Sequence, residues 1–166
     1  PTTVYGSTKL TGEQYCEIYS NLFGINITSL RPFNIYGPRQ NDTYAGVISK
    51  FMDKLNENKN PIIFGNGKQT RDFIHVDDVT RAFYYALKFK KTKFAVFNLA
   101  TGKSTSINEL AKIFLLATNK SNLKPIYKKP ISGVVIHNST NPTKIKQHLG
   151  FISTINLTNG ITNFVN

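Results

Sequence analysis

Only one cysteine, Cys16, occurs in the 166 residues, which excludes an internal disulfide. No apolar run reaches the roughly 18 residues that a membrane span needs, and no basic stretch precedes an apolar one at the N-terminus as it would in a secretory leader. The expectation is a cytoplasmic protein with no membrane partner. Acidic residues are also scarce: nine Asp and Glu face 21 Lys and Arg, for a formal charge of +12. Such an excess would favour a polyanion if it were clustered, because cations that neutralise phosphates release counterions. Here it is scattered. The densest groups are Lys90, Lys91 and Lys93, then Lys128 and Lys129, with no aromatics interleaved for base stacking, so a solvated surface is expected and no nucleic-acid partner.

What the chain does have is enough apolar content, 40% with 12% aromatic, to bury one sizeable core. From Tyr5 to Phe23 apolar residues recur at three- and four-residue spacing and Gly24 follows, which predicts a helix, with Cys16 on a buried face among Tyr15, Ile18 and Tyr19. Ile25 to Leu30 reads as a strand ended by Arg31-Pro32. Further helices are expected from Val47 to Leu55, after an N-cap at Asp77 with Val79, Ala82, Phe83, Ala86 and Leu87 on one face, and after the Ser106/Glu109 capping box. Short strands are expected at Pro61 to Phe64, Phe94 to Leu99 and Lys124 to Lys128, and a last helix from Pro142 to Leu149; Ile131 to Thr140 receives no assignment. Helices alternating with short buried strands indicate an α/β fold.

Tyr5-Gly6-Ser7-Thr8-Lys9 sets a phenol and an ammonium four residues apart on one helical face. A phenol of ordinary pKa, about 10, is a poor base at neutral pH, and a fixed cation nearby stabilises its phenolate. The spacing alone carries little information, since Tyr84 and Lys88 repeat it late in an amphipathic helix. His75 ahead of Asp77 and Asp78 reads as a strand residue beside a helix cap, His137 and His148 have no spaced partners, and no metal site is expected.

Context singles out Tyr5. It is followed in order by Leu30-Arg31-Pro32-Phe33-Asn34-Ile35-Tyr36-Gly37-Pro38-Arg39-Gln40, by Gly65 to Asp78 with Arg71-Asp72-Phe73, by Phe97 to Gly102, and by Lys144 to Phe151. In these motifs the chain resembles the extended short-chain dehydrogenase/reductase family, in its NAD-dependent nucleotide-sugar epimerase/dehydratase branch. The resemblance implies the C-terminal part of a Rossmann-like doubly wound parallel sheet plus a smaller α/β substrate-binding domain. On that reading residues 1–40 form the tail of the NAD-binding domain and 41–166 the substrate domain, with 73–99 packing back on the Rossmann sheet.

The resemblance also implies roles: Tyr5 as the general acid/base, Lys9 as its electrostatic partner and ribose ligand, Phe33 beside the nicotinamide, Asn34 and Val47 on the sugar nucleotide, and Arg71 on the diphosphate. It implies NAD as cofactor, a nucleotide sugar (a UDP-sugar above others) as substrate, and a homodimer. UDP-glucose or UDP-N-acetylhexosamine 4-epimerisation ranks first; a 4,6-dehydratase, or a noncatalytic nucleotide-sugar-binding fragment, stays open. Two departures stand out. No glycine-rich turn for the NAD pyrophosphate occurs in these residues, which implies a fragment inactive alone. Where many relatives carry an arginine before a glycine and an acid, this chain has Ile131-Ser132-Gly133-Val134, leaving Lys129 as the substitute cation.

Overall fold

A computed structural model describes residues 1, 3–40, 46–131 and 136–165. In chain order the elements are α1 (Val4–Phe23), β1 (Ile27–Pro32), β2 (Asn34–Tyr36), α2 (Val47–Asn56), β3 (Ile62–Phe64), β4 (Thr70–Arg71), β5 (Phe73–His75), α3 (Val76–Leu87), β6 (Phe94–Leu99), β7 (Thr105–Ser106), α4 (Ile107–Ala117), β8 (Ile126–Lys128), β9 (His137–Asn138), α5 (Thr143–Leu149) and α6 (Leu157–Val165). The fold is α/β, and parallel pairing dominates: β1 with β6, β2 with β5, β3 with β8 and β4 with β9, against one antiparallel pair, β4 with β7. No described helix is long and apolar enough to cross a membrane.

Two buried clusters form the core, and β5 separates them. Successive strand residues point to opposite faces. Phe73 therefore joins Phe51, Leu55, Ile63, Leu110, Phe114 and Ile161 on one side, while Ile74 joins Val79, Ala82, Phe97, Leu99, Ile145 and Phe151 on the other. Two buried carboxylates tie loops onto this frame. Asp72 accepts from the Thr101 and Gly102 N–H groups at 3.0 and 2.8 Å and from the Thr101 hydroxyl, which fixes the turn after β6 beside β4. Asp78 accepts from the N–H groups of Thr154 and Ile155 and from Arg81, which holds the approach to α6 against α3. Removing a donor to such a buried carboxylate is costly because the charge loses part of what compensates its desolvation.

The sequence signals for α1, α2, α4, α5 and β6 match these elements, and the Ser106 hydroxyl accepts the Glu109 N–H at 3.1 Å as a capping box requires. Several expectations need correction. β1 runs through Pro32, because among the described residues β1 pairs only with β6, and the Pro32 nitrogen faces away from that ladder, so its missing N–H breaks no bond there. His75, not Asp77, caps α3: its Nδ1 accepts the Asp77 N–H at 3.2 Å. Of the apolar face expected on α3, Val79, Ala82 and Ala86 are buried, while Phe83 and Leu87 are exposed. On α1 only Ser20 is buried; Cys16 is half-buried, and Tyr15, Ile18 and Tyr19 face outward. No described element covers that side. Helix α6 had no sequence signal, since its apolar residues are interrupted by Thr158, Asn159, Gly160, Thr162 and Asn163.

Candidate functional site

Two contacts orient α1 against β1. The Ser20 hydroxyl, near the helix's end, bonds the carbonyls of Ile25 and Lys93 where β1 and β6 begin. Glu13, in mid-helix, accepts from Arg31 near the strand's far end, with Nε to Oε2 at 2.7 Å, and this ion pair raises the Arg31 pKa, the hydrogen bond to Glu13 being the largest cause. The helix and strand are therefore antiparallel. Tyr5 lies eight residues, about 12 Å, beyond Glu13, past the end of β1 and on the side where Phe33 and Asn34 follow.

Helical phase sets which way Tyr5 and Lys9 face. Each lies eleven residues from a residue on the strand side, Tyr5 from Cys16 and Lys9 from Ser20, and eleven residues return to within roughly 20° of the same direction. The Lys9 Nζ stands 5.3 Å from the Tyr5 ring centroid. Among the described residues neither the Tyr5 hydroxyl nor the Lys9 ammonium has a hydrogen-bond partner, although the Tyr5 carbonyl accepts from Thr8. An unengaged phenol and ammonium on one face suit a ligand rich in hydroxyls, such as a ribose or a hexose. In that respect the residues fit the ribose of NAD. Phe33 is half-buried, and its N–H donates to the Leu99 carbonyl at 2.9 Å, so its backbone is held by β6.

The second part is a cavity of about 810 Å3, within the range of small-molecule sites, whose wall includes Asn34, Val47 and Arg71. Asn34 uses both its N–H and its side-chain Nδ2 to bind the Asp72 carbonyl, at 3.1 and 2.8 Å, and its Oδ1 has no donor among the described residues. Arg71 Nη1 donates to the carbonyls of Thr70 and Ile136 at 2.7 and 3.3 Å, which aligns the guanidinium. Burial lowers the Arg71 pKa, and among the described residues no carboxylate pairs with it. A partly desolvated cation with Nε and Nη2 unengaged is a ready anion ligand.

At the cavity's edge Gly67 has φ +71°, and a Cβ there would overlap the Asn108 side chain that bonds the Asn66 carbonyl. That turn carries Lys68 and Gln69 into the wall.

The structure thus collects Asn34, Val47 and Arg71 around one cavity, while Tyr5 and Lys9 share a separate face near the same strand ends and Phe33 lies off the cavity wall. It also shows residues that sequence reasoning missed. Lys50, Lys68, Gln69, Ile107 and His137 line the cavity, and the His137 Nδ1 is 2.9 Å from the Thr70 hydroxyl. Lys50 had a signal: three residues after Val47, it shares that residue's helical face. Lys129 does not line the wall; Pro130 and Ile131 do. Ser132, Gly133 and Val134 lie outside the described residues. No cluster of potential metal ligands occurs among the described residues.

Comparison with known proteins bears on this geometry. The model of the NAD dependent epimerase/dehydratase family matches residues 1–100. A putative UDP-glucose 4-epimerase of Methanocaldococcus jannaschii is 42% identical over 100% of this chain and 53% of its own length. A crystal structure of UDP-glucose 4-epimerase with UDP-glucose from Thermotoga maritima superposes with a TM-score of 0.90 at 36% identity, over 97% of this chain and 52% of that one. The UDP-glucuronic acid 4-epimerase of Bacillus cereus, in complex with UDP-glucuronic acid and NAD, gives 0.87 at 30% identity, over 99% and 53%. The chain spans about half the length of the curated relatives it matches. The family match over residues 1–100, a stretch that includes α1, the β1–β2 loop and the β4–β5 segment, together with the 42% identity and the common backbone, places this chain in the NAD dependent epimerase/dehydratase family.

Proposed function

We propose that this chain is the substrate-binding and proton-transfer part of a nucleotide-sugar 4-epimerase that uses NAD and takes a UDP-hexose or UDP-N-acetylhexosamine. Residues 1–40 belong to the dinucleotide-binding domain and 41–166 to the substrate domain, with 73–99 returning to the first. The observation that carries the reading is the placement of the Tyr5/Lys9 face beyond the end of β1, where the chain turns into the wall of a cavity whose described lining contains no carboxylate.

Arg71 holds the diphosphate, and Asn34 and Val47 contact the sugar nucleotide. Lys9 bonds the nicotinamide ribose and stabilises negative charge on the Tyr5 oxygen, with Phe33 beside the nicotinamide. Tyr5 exchanges a proton with the sugar 4-hydroxyl, accepting it on oxidation and returning it on reduction. When bound, NAD supplies the hydride acceptor and then the donor. A grip on the nucleotide rather than on the hexose leaves the 4-keto sugar free to present either face.

The enzyme is proposed to be cytoplasmic, and also a homodimer, the second being supported by the outward apolar side chains Tyr15, Ile18, Tyr19 and Leu22 of α1. The chain by itself is expected to be inactive, because its residues include no glycine-rich turn for the NAD pyrophosphate.

The test is to incubate the intact protein with UDP-glucose or UDP-N-acetylglucosamine and follow C4 inversion by proton NMR. Interconversion of the C4 epimers supports the reading. A 4-keto-6-deoxy product assigns the dehydratase instead, and tight UDP binding with no turnover leaves only the noncatalytic binding role.

A further inference from the structure

The cavity's electrostatics point beyond Arg71. Its described lining holds Lys50, Lys68, Arg71 and His137 and no aspartate or glutamate. Arg71 alone is a partial answer to a diphosphate, because Nη1 is already engaged by the carbonyls of Thr70 and Ile136. Two phosphates need cations from more than one direction. Arg71 stands on β4 and Lys50 on α2, so these two cationic residues of the lining come from different elements.

Lys50 is distinguished from its neighbours on α2. It is the fourth residue of the helix, it shares a face with Val47, and no acidic residue occupies the first turn to neutralise it. A lysine so close to a helix's N-terminal end is opposed by the helix's own field, a conflict that an anion between the two would remove. One turn further on, Lys54 lies off the cavity wall and pairs with Glu57 at 3.6 Å. Lys50 has no carboxylate within 4.0 Å among the described residues.

We infer that Lys50 is the second cation for the diphosphate and sets the preference of this site for nucleoside diphosphates over monophosphates, an inference that rests on the nucleotide-sugar reading above. Its side chain is exposed, so replacing it does not disturb the core.

The experiment is calorimetric titration of the intact protein with UDP and with UMP, for wild type, Lys50→Met, Lys50→Arg and Lys54→Met. Loss of a charge-assisted hydrogen bond weakens UDP binding roughly tenfold in Lys50→Met, while UMP binding changes by less than about twofold; Lys50→Arg recovers most of the loss and Lys54→Met changes neither. If wild type binds UDP but Lys50→Met binds it equally well, or if Lys54→Met loses as much, the assignment of Lys50 is overturned and the nucleotide-sugar reading stands. If wild type binds neither nucleotide, both are overturned.

Discussion

Helix α1, and helix α3 together with its C-cap Lys88, carry the same pair, a tyrosine and a lysine four residues on, and in both the ammonium sits near the ring: 5.3 Å for Lys9 and Tyr5, 4.0 Å for Lys88 and Tyr84. The closer pair is the one with no proposed chemistry. Helical spacing is enough to bring the two groups together, so proximity alone does not mark a site. Direction and position differ. Tyr5 shares the strand-facing side of α1 with Cys16 and projects past the end of β1, whereas Tyr84 lies two residues, about 200°, from buried Ala82 and so points away from the sheet. Tyr84 and Lys88 border a shallow depression of about 390 Å3 with Lys90, Lys91 and His148, remote in sequence and in composition from the Asn34 and Arg71 cavity.

Removing each phenol from the intact protein tests this contrast most directly. Tyr5→Phe is expected to lower turnover by about 10²- to 10⁴-fold with UDP-sugar affinity retained, while Tyr84→Phe leaves turnover unchanged. Steady-state assays of both variants decide it, and equal losses would dissolve the distinction. Lys9→Met should cost about tenfold or more in turnover where Lys88→Met costs nothing measurable, since only the first charge faces the proposed reacting oxygen.

A third tyrosine sharpens the contrast from the opposite side. Tyr36 is buried, its hydroxyl has no partner among the described residues, and burial first, then the charge of Asp78, raises its pKa above the usual value. Its ring packs edge-on to His75, 5.2 Å between centroids, and its hydroxyl rests against Gly160 of α6. Gly160→Ala is therefore expected to destabilise the fold by about 1–3 kcal/mol through overpacking, measured by urea denaturation, and Tyr36→Phe in the same chain should return part of that loss by removing the oxygen the new methyl meets.

Tyr36→Phe alone has the smallest effect at neutral pH, a gain of up to about 1 kcal/mol from deleting an unbonded buried hydroxyl. Its signature is pH. The unfolded chain releases the Tyr36 proton near pH 10 while the folded chain keeps it, so the native state binds more protons there and stability falls as pH rises above about 10. Below that pH the contribution is fully present. Alkaline denaturation of the Phe variant should show a shallower decline than wild type; identical slopes would mean that Tyr36 does not govern it.

Much of the local structure was legible from residues alone. Periodicity and caps located α1, α2, α4 and α5, because Ser106 and the glycines after α1 and α5 act within a turn or two of chain. The family resemblance named Asn34, Val47 and Arg71, three residues that the fold brings to one cavity wall. Which apolar faces are covered was not legible. Phe83 and Leu87 fit the same stripe as Val79 and Ala82, yet only the latter two meet the second core cluster. Lys50 and His137 were also hidden as cavity residues, since they stand 87 positions apart and neither forms a motif with the other.

Residue order alone located α1, α2, α4 and α5 and brought Tyr5 next to Lys9, because these features depend on interactions a few residues long. The tertiary arrangement places Tyr5 past a strand end, turns Tyr84 away, and gathers Lys50, Lys68, Arg71 and His137 around one cavity with no carboxylate among its described lining residues. Those outcomes depend on parallel pairing between distant segments, β1 with β6 and β4 with β9, whose register no short stretch of sequence encodes.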